Sequence, residues 1–145
     1  MAHLWETLGY RRTAWSEGSV TIEWDATAEY GFPTRNGHVI QGGLVTAVLD
    51  AAMGGACWSV LSAQEAFLTA DLRVEFLRAT RAGTVSATGT VVRRTRKVVF
   101  CAADLHDAEG KLLATSRCTQ VVLPAEADGG RAEPPGLTPP TDGRG

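Results

Sequence analysis

The chain is short of most features that mark a specialised class. Cysteine occurs three times in 145 residues, at Cys57, Cys101 and Cys118. That is an odd number in no CxxC arrangement, so neither a disulfide framework nor a zinc knuckle is expected, and no metal is required. No apolar run approaches the length of a membrane span. The opening residues, Met1 to Glu6, lack the basic start and apolar stretch of a secretory signal, so a cytoplasmic, reduced protein is expected. Charge of one sign is missing too, with 14 Lys+Arg against 16 Asp+Glu and a formal net charge of −2. From Pro124 onward the chain holds four of those acids and only two arginines, which leaves the first 123 residues formally neutral. A neutral body speaks against a nucleic-acid partner, which would require a strong positive field. It also speaks against attachment to an anionic membrane through bulk charge.

What is present is enough apolar residue, 44% of the chain, to bury one sizeable core. Composition divides the sequence into a single domain over 1–123 and a tail over 124–145 that is rich in Pro and Gly and expected to be disordered. No internal repeat is visible. Val20, Ile22 and Trp24 alternate with Thr21, Glu23 and Asp25, the two-residue period of a half-buried strand. Leu8 to Trp15 reads as an earlier strand or as the end of a short helix. Ala70, Leu72, Val74 and Phe76 alternate with Asp71, Arg73 and Glu75. Val85, Ala87, Gly89 and Val91 share one face of a strand opened by Gly83. Further strands are expected over about 97–105 and 112–123, joined by a hairpin at Asp107 to Lys111, where Gly110 suits a positive φ. Short links predict an antiparallel meander.

One helix is predicted, from about Gly42 to about Ser59. Leu44, Val45, Val48, Leu49, Ala52 and Ala56 form its apolar stripe. The other side, with Thr46, Met53, Gly54 and Cys57, is also uncharged except for Asp50. A helix buried nearly all round that carries one lone acid is the most informative feature of the sequence, because an unpaired buried carboxylate is costly. Gly42 and Gly43 stand where the helix begins. There the first-turn N–H groups lack intrahelical acceptors, and they and the positive end of the dipole can polarise a carbonyl or hold an oxyanion. Asp50 lies roughly 10–12 Å further along the axis, too far to share one substrate atom with those amides. A site at an interface between two subunits, each supplying one part, satisfies that spacing.

The run Gln41-Gly-Gly-Leu-Val-Thr-Ala-Val-Leu-Asp50 resembles the helix signature of hotdog-fold acyl-CoA thioesterases of the phenylacetate-degradation type. Thr69 to Arg78 followed by Gly83, and Asp107 to Thr119, are similar to later strands of that family. The likeness runs in order from about Gly18 to Leu123. It implies an α+β hotdog fold, a long helix wrapped by a curved antiparallel sheet, with two units pairing through their sheets as a homodimer or a homotetramer. It implies an acyl-CoA substrate and no further cofactor. Asp50 would activate water or attack the thioester, while the Gly43 amide, or else that of Gly42, would polarise the carbonyl. Gln41, where the family more often has His, would contact the carbonyl or hold the loop, and Thr69 would help to place water. Family members often carry an Asn six residues before the His or Gln. Here Asn36 lies five before Gln41, so its place in the site needs a one-residue shift, and Thr95-Arg96 stands where a Gly-Arg pair is common.

The remaining candidates divide between structural and functional readings. Arg93, Arg94, Arg96 and Lys97 form the one basic cluster, either a solvated turn or a landing site for the phosphates of coenzyme A, with Arg78 and Arg81 as weaker candidates. His38 is read as a structural loop residue rather than the general acid or base of a dehydratase. The four tryptophans, Trp5, Trp15, Trp24 and Trp58, are read as core or interface anchors. Cys57 has no histidine placed to activate it. Two rival activities stay open at this stage, an enoyl-thioester hydratase or dehydratase and a non-catalytic acyl-CoA-binding module.

Overall fold

The computed structural model describes residues 4–125. Both readings of Leu8 to Trp15 hold in succession. A short helix, α1 (Leu4–Leu8), stops at Gly9, whose φ of 78° lets the chain turn back into β1 (Arg11–Ser16). β2 (Ser19–Ala26) follows a turn at Gly18 and buries Val20, Ile22, Trp24 and Ala26 on one face. The segment before the predicted helix is a hairpin, β3 (Gly31–Thr34) and β4 (Gly37–Ile40), with Arg35 and Asn36 at its tip. It forms a separate two-stranded sheet, anchored by the Ile40 N–H donating to the Thr80 carbonyl at 2.8 Å.

Next comes α2 (Gly42–Trp58), within a residue of the predicted span. Four of its seventeen residues are glycine, which lowers intrinsic helix propensity, so burial must carry this helix. Val45, Val48, Leu49, Ala52, Met53, Ala56 and Cys57 are all essentially inaccessible. The sheet wraps them with β5 (Glu65–Phe76), β6 (Gly83–Arg94), β7 (Val98–His106) and β8 (Leu112–Pro124). All six strands pair antiparallel, in the order β1-β2-β6-β7-β8-β5. The helix crosses closest at Gly89, where an added Cβ would stand 2.2 Å from the Ala52 carbonyl oxygen. Only a residue without a side chain admits that approach. Trp5, Trp24 and Trp58 are buried as core anchors, and Trp15 packs half-buried against the same cluster. The Trp24 indole donates to the Leu8 carbonyl at 2.9 Å.

Two expectations are corrected. The meander comprises only β6, β7 and β8. β5 passes over to the far edge beside β8, because the 77–82 link is long enough to carry the chain across one end of the barrel-like sheet. Ala70 does not share a face with Leu72, Val74 and Phe76 either. The β5–β8 register shifts between Thr69 and Asp71, so Ala70 is the extra residue of a β-bulge and is exposed. Upstream of the bulge the inward phase passes to Thr69 and Phe67, which oppose Gln120 and Val122 on β8. The Asp107 carboxylate accepts from the Glu109 and Lys111 amides, closing the expected turn with Gly110 at φ 84°. β8 ends at Pro124, and the rest of the expected tail lies outside the described residues.

Candidate active site

The start of α2 is built to leave donors open. The Gln41 carbonyl accepts from the Leu44 and Val45 amides, and its N–H donates to Tyr30, but its exposed side chain makes no capping bond. The amides of Gly42 and Gly43 have no acceptor within the helix. Gly43 is exposed, and an added Cβ there would meet nothing within 4 Å. Gly42 is covered by Phe76, whose ring would stand 3.2 Å from such a Cβ. Beside it opens a groove of about 300 Å³ lined by Phe32, Val45, Phe76, Leu77 and Arg78. The helix N-terminus therefore presents amide hydrogens and partial positive charge to a largely apolar groove.

Two turns on, Asp50 is half-buried between α2 and β5. Burial raises its pKa above the ordinary carboxylate value, and a hydrogen bond with the Thr69 hydroxyl partly offsets the rise. Thr69 reaches the carboxylate because of the bulge, since unbroken alternation from Leu72 would turn its side chain away. Gln120 Oε1 competes for the same hydroxyl proton, with Thr69 Oγ1 at 2.8 Å. Gln120, with no accessible surface, donates in turn from Nε2 to Cys118 Sγ at 3.3 Å. β5 runs back along α2, with Phe67 against Gly54, Thr69 at Asp50 and Phe76 over Gly42.

Within one chain the structure thus joins Asp50 to Thr69, and places Gln41, Gly42 and Gly43 together at the far end of the same helix. Asn36 stands apart at the β3–β4 tip, exposed, its carbonyl accepting from Arg81 at 3.1 Å. His38 is exposed on β4 opposite Pro33. Arg94 is engaged with Glu65, at 2.7 and 2.8 Å to the two carboxylate oxygens, and also donates to the Val60 carbonyl. Bonds from the Ser62 amide and from Arg94 hold the Glu65 carboxyl down at about 2. Arg93, Arg96 and Lys97 are exposed at the β6–β7 turn. The buried thiols of Cys101 and Cys118 have raised pKa values, which makes nucleophilic chemistry there unfavourable. Among the described residues no group of three or more His, Cys, Asp or Glu side chains is gathered as a metal site. Sequence reasoning missed Gln120 and Glu65. Gln120 had a signal, since Ala114, Ser116, Cys118, Gln120 and Val122 alternate and the pattern places an amide in the core.

A long helix wrapped by a six-stranded antiparallel sheet, in this strand order, defines the class as hotdog-fold. Residues 37–114 match the sequence profile of the thioesterase superfamily, and the chain belongs to that superfamily. The protein named medium/long-chain acyl-CoA thioesterase YigI, from Escherichia coli K12, is 30% identical over 97 residues, 58% of this chain and 63% of its own. SSO2140 of Saccharolobus solfataricus is 32% identical over 79 residues, 54% of this chain and 56% of its own. The chain thus spans 56–63% of the length of these curated relatives. Among solved structures, a phenylacetic acid degradation-related protein from Ralstonia eutropha JMP134 is 28% identical. It superposes with a TM-score of 0.75 over 81% of this chain and 88% of that one. The Escherichia coli PaaI protein, 22% identical, shares the fold with a TM-score of 0.75 over 82% and 83% of the two chains.

Proposed function

We propose that the protein is an acyl-CoA thioesterase, hydrolysing a thioester to a carboxylic acid and free coenzyme A, and that it works as a homodimer, alone or paired into a homotetramer. The observation that carries this reading is the single carboxylate of α2, half-buried and held by Thr69, on a helix whose first amides are open. Membership of the thioesterase superfamily supports it, as does similarity to a protein named an acyl-CoA thioesterase.

In the mechanism, Asp50 as carboxylate removes a proton from water while the oxygen adds to the thioester carbonyl. The charge that develops on the carbonyl oxygen is met by the Gly43 amide of a second copy, with Gln41 and Gly42 shaping the same helix start. Collapse breaks the C–S bond, and the Asp50 carboxylic acid returns its proton to the departing thiolate. Thr69 helps to orient the water. Attack by Asp50 itself, through a transient anhydride, uses the same residues and differs in placing water's oxygen in Asp50 before the product. Exposed Arg96 and Lys97 are the cations assigned to the coenzyme A phosphates, whereas the charge of Arg94 is met by Glu65. Asn36 joins the site only if the second copy brings its hairpin tip there. A cytoplasmic setting fits three cysteines that are all unpaired and buried, and no helix among the described residues is long and apolar enough to cross a membrane.

The test is thiol release from a panel of aryl, short, medium and long acyl-CoAs, with Asp50→Asn beside the wild-type protein. Loss of the carboxylate is expected to lower kcat by about 10²–10⁴ while the fold persists. Equal turnover by Asp50→Asn would remove the assignment. An absorbance change with an enoyl-CoA and no thiol would favour a hydratase, and binding without turnover an acyl-CoA-binding module.

A further inference from the structure

Gln120 is the one glutamine side chain in the core, and it has no accessible surface. A primary amide there costs stability unless its donors and acceptor are met, and every group it meets lies on the way to Asp50. On one side its Oε1 accepts from Thr69 at 2.8 Å, and Thr69 touches the Asp50 carboxylate. On the other its Nε2 donates to Cys118 Sγ at 3.3 Å, and Cys118 opposes Cys101 directly across β7 and β8. The result is a chain of groups from the core to the carboxylate: thiol, amide, hydroxyl, acid.

Each member of that chain can reverse its polarity, the hydroxyl and thiol by rotation and the amide by a half-turn that exchanges oxygen and nitrogen. In the polarity of the structure, Gln120 Oε1 competes with the Asp50 carboxylate for the single Thr69 proton, and only the share given to Asp50 lowers its pKa. After the half-turn, Nε2 donates to Thr69, Oε1 accepts from the Cys118 thiol, and the Thr69 proton is free for the ionised carboxylate. A general base passes through both protonation states in every turnover. We propose that Gln120 is a positioning residue for the reaction, whose reversible amide matches the Thr69 hydroxyl to whichever protonation state Asp50 holds. This rests on the thioesterase reading above and deepens it. The other titratable groups that face Asp50 are Tyr10, on the segment after α1, and Cys118 on β8. Both have raised pKa values and stay neutral near pH 7, so Asp50 is the group that titrates.

The experiment compares pH profiles of kcat/KM for thiol release by wild type, Gln120→Met, Thr69→Val and the double variant, all as the purified full chain. Methionine keeps the volume and removes both amide functions. With no competing acceptor, the Thr69 proton then stays on the carboxylate. The acid limb is expected to move down by about one pH unit, the worth of one hydrogen bond to a charged group. kcat should fall about tenfold as the base weakens, with KM little changed. In the Thr69→Val background the same substitution should move neither quantity. An unchanged limb in Gln120→Met, or the same shift without Thr69, overturns the proposal.

A second measurement needs neither folding of a variant at position 120 nor turnover. The chain has three glutamines and one asparagine, so its side-chain amide resonances are few. The Gln120 side-chain ¹⁵N resonance is expected to titrate in wild type and to be pH-invariant in Asp50→Asn. No titration in wild type, or the same titration without Asp50, overturns the proposal. Should wild type and Asp50→Asn release thiol equally, the thioesterase reading falls and this resonance still decides whether the amide follows Asp50. Should Asp50 be required while the Gln120 variants titrate like wild type, only the present inference falls.

Discussion

At the scale of single residues, Asp50 sets stability against function. Its pKa is raised above 3.8, chiefly by burial, so the folded state binds that proton more tightly than the unfolded chain does. Stability contributed at this position therefore falls as pH rises from the ordinary carboxylate range through the folded value. Asp50→Asn should melt above wild type at pH 7, and the difference should vanish as the pH approaches 3.8. Thermal melts of both proteins across that range check the sign. A variant less stable than wild type at neutral pH would show the carboxylate to be a structural partner. The acid itself was legible in the sequence, as the one charge in an otherwise uncharged helix. Its relation to Thr69 was legible only through family resemblance. By alternation Thr69 falls on the wrong face, and the bulge at Ala70 that reverses the phase comes from pairing with β8, not from any local preference.

At the scale of elements, α2 is held less by its own propensity than by the surface it meets. Gly89 is where that surface touches helix backbone, and a methyl group there would stand 2.2 Å from the Ala52 oxygen and 2.8 Å from the Met53 nitrogen. Backbone cannot swing aside as a side chain does, so Gly89→Ala should cost about 2–4 kcal/mol, at or above the usual range for overpacking. Denaturant unfolding of the variant measures this, and a midpoint near that of wild type would mean the helix has room to move. The sequence marked Gly89 only as a small residue on the inward face of β6. The strands with clean alternation, β2 and β6, were legible for the same reason that they are stable, namely one wet face and one dry. β3 and β4 were not, because four-residue strands rich in Gly, Pro and Thr carry turn chemistry rather than a hydrophobic period.

At the scale of the whole molecule, no strand among the described residues pairs with the outer side of one long edge. β5 is twelve residues long, pairs on one side only and exposes Leu68 and Phe76, a combination that invites a second strand. The same edge borders Asp50 through Thr69 and the start of α2 through Phe76. At the opposite end the Glu65–Arg94 pair joins β5 to β6, strands three places apart in the sheet, and ties both to the loop after α2. With its carboxyl at about 2 against an ordinary 4.5, Glu65 supports the fold above that ordinary value and loses the contribution as pH falls toward 2. The curl of the sheet was legible only through the family resemblance, and this clasp not at all, since both depend on which strands end as neighbours.

In the proposed mechanism a carboxylate from one subunit and a helix amide from another act on the same thioester. Complementation tests it most directly. Asp50→Asn lacks the base, while Gly43→Pro lacks the amide hydrogen at a position where a side chain meets no neighbour and proline suits the first turn. Each variant alone should be nearly inactive. When the two are co-folded and the mixed dimer is isolated by paired affinity tags, one site carries both lesions and the other carries neither. Thiol release is then predicted to return to about half the wild-type value per dimer, the one intact site turning over at the full rate. A mixed dimer no more active than its inactive parents would contradict the account, and would place base and amide in the same chain.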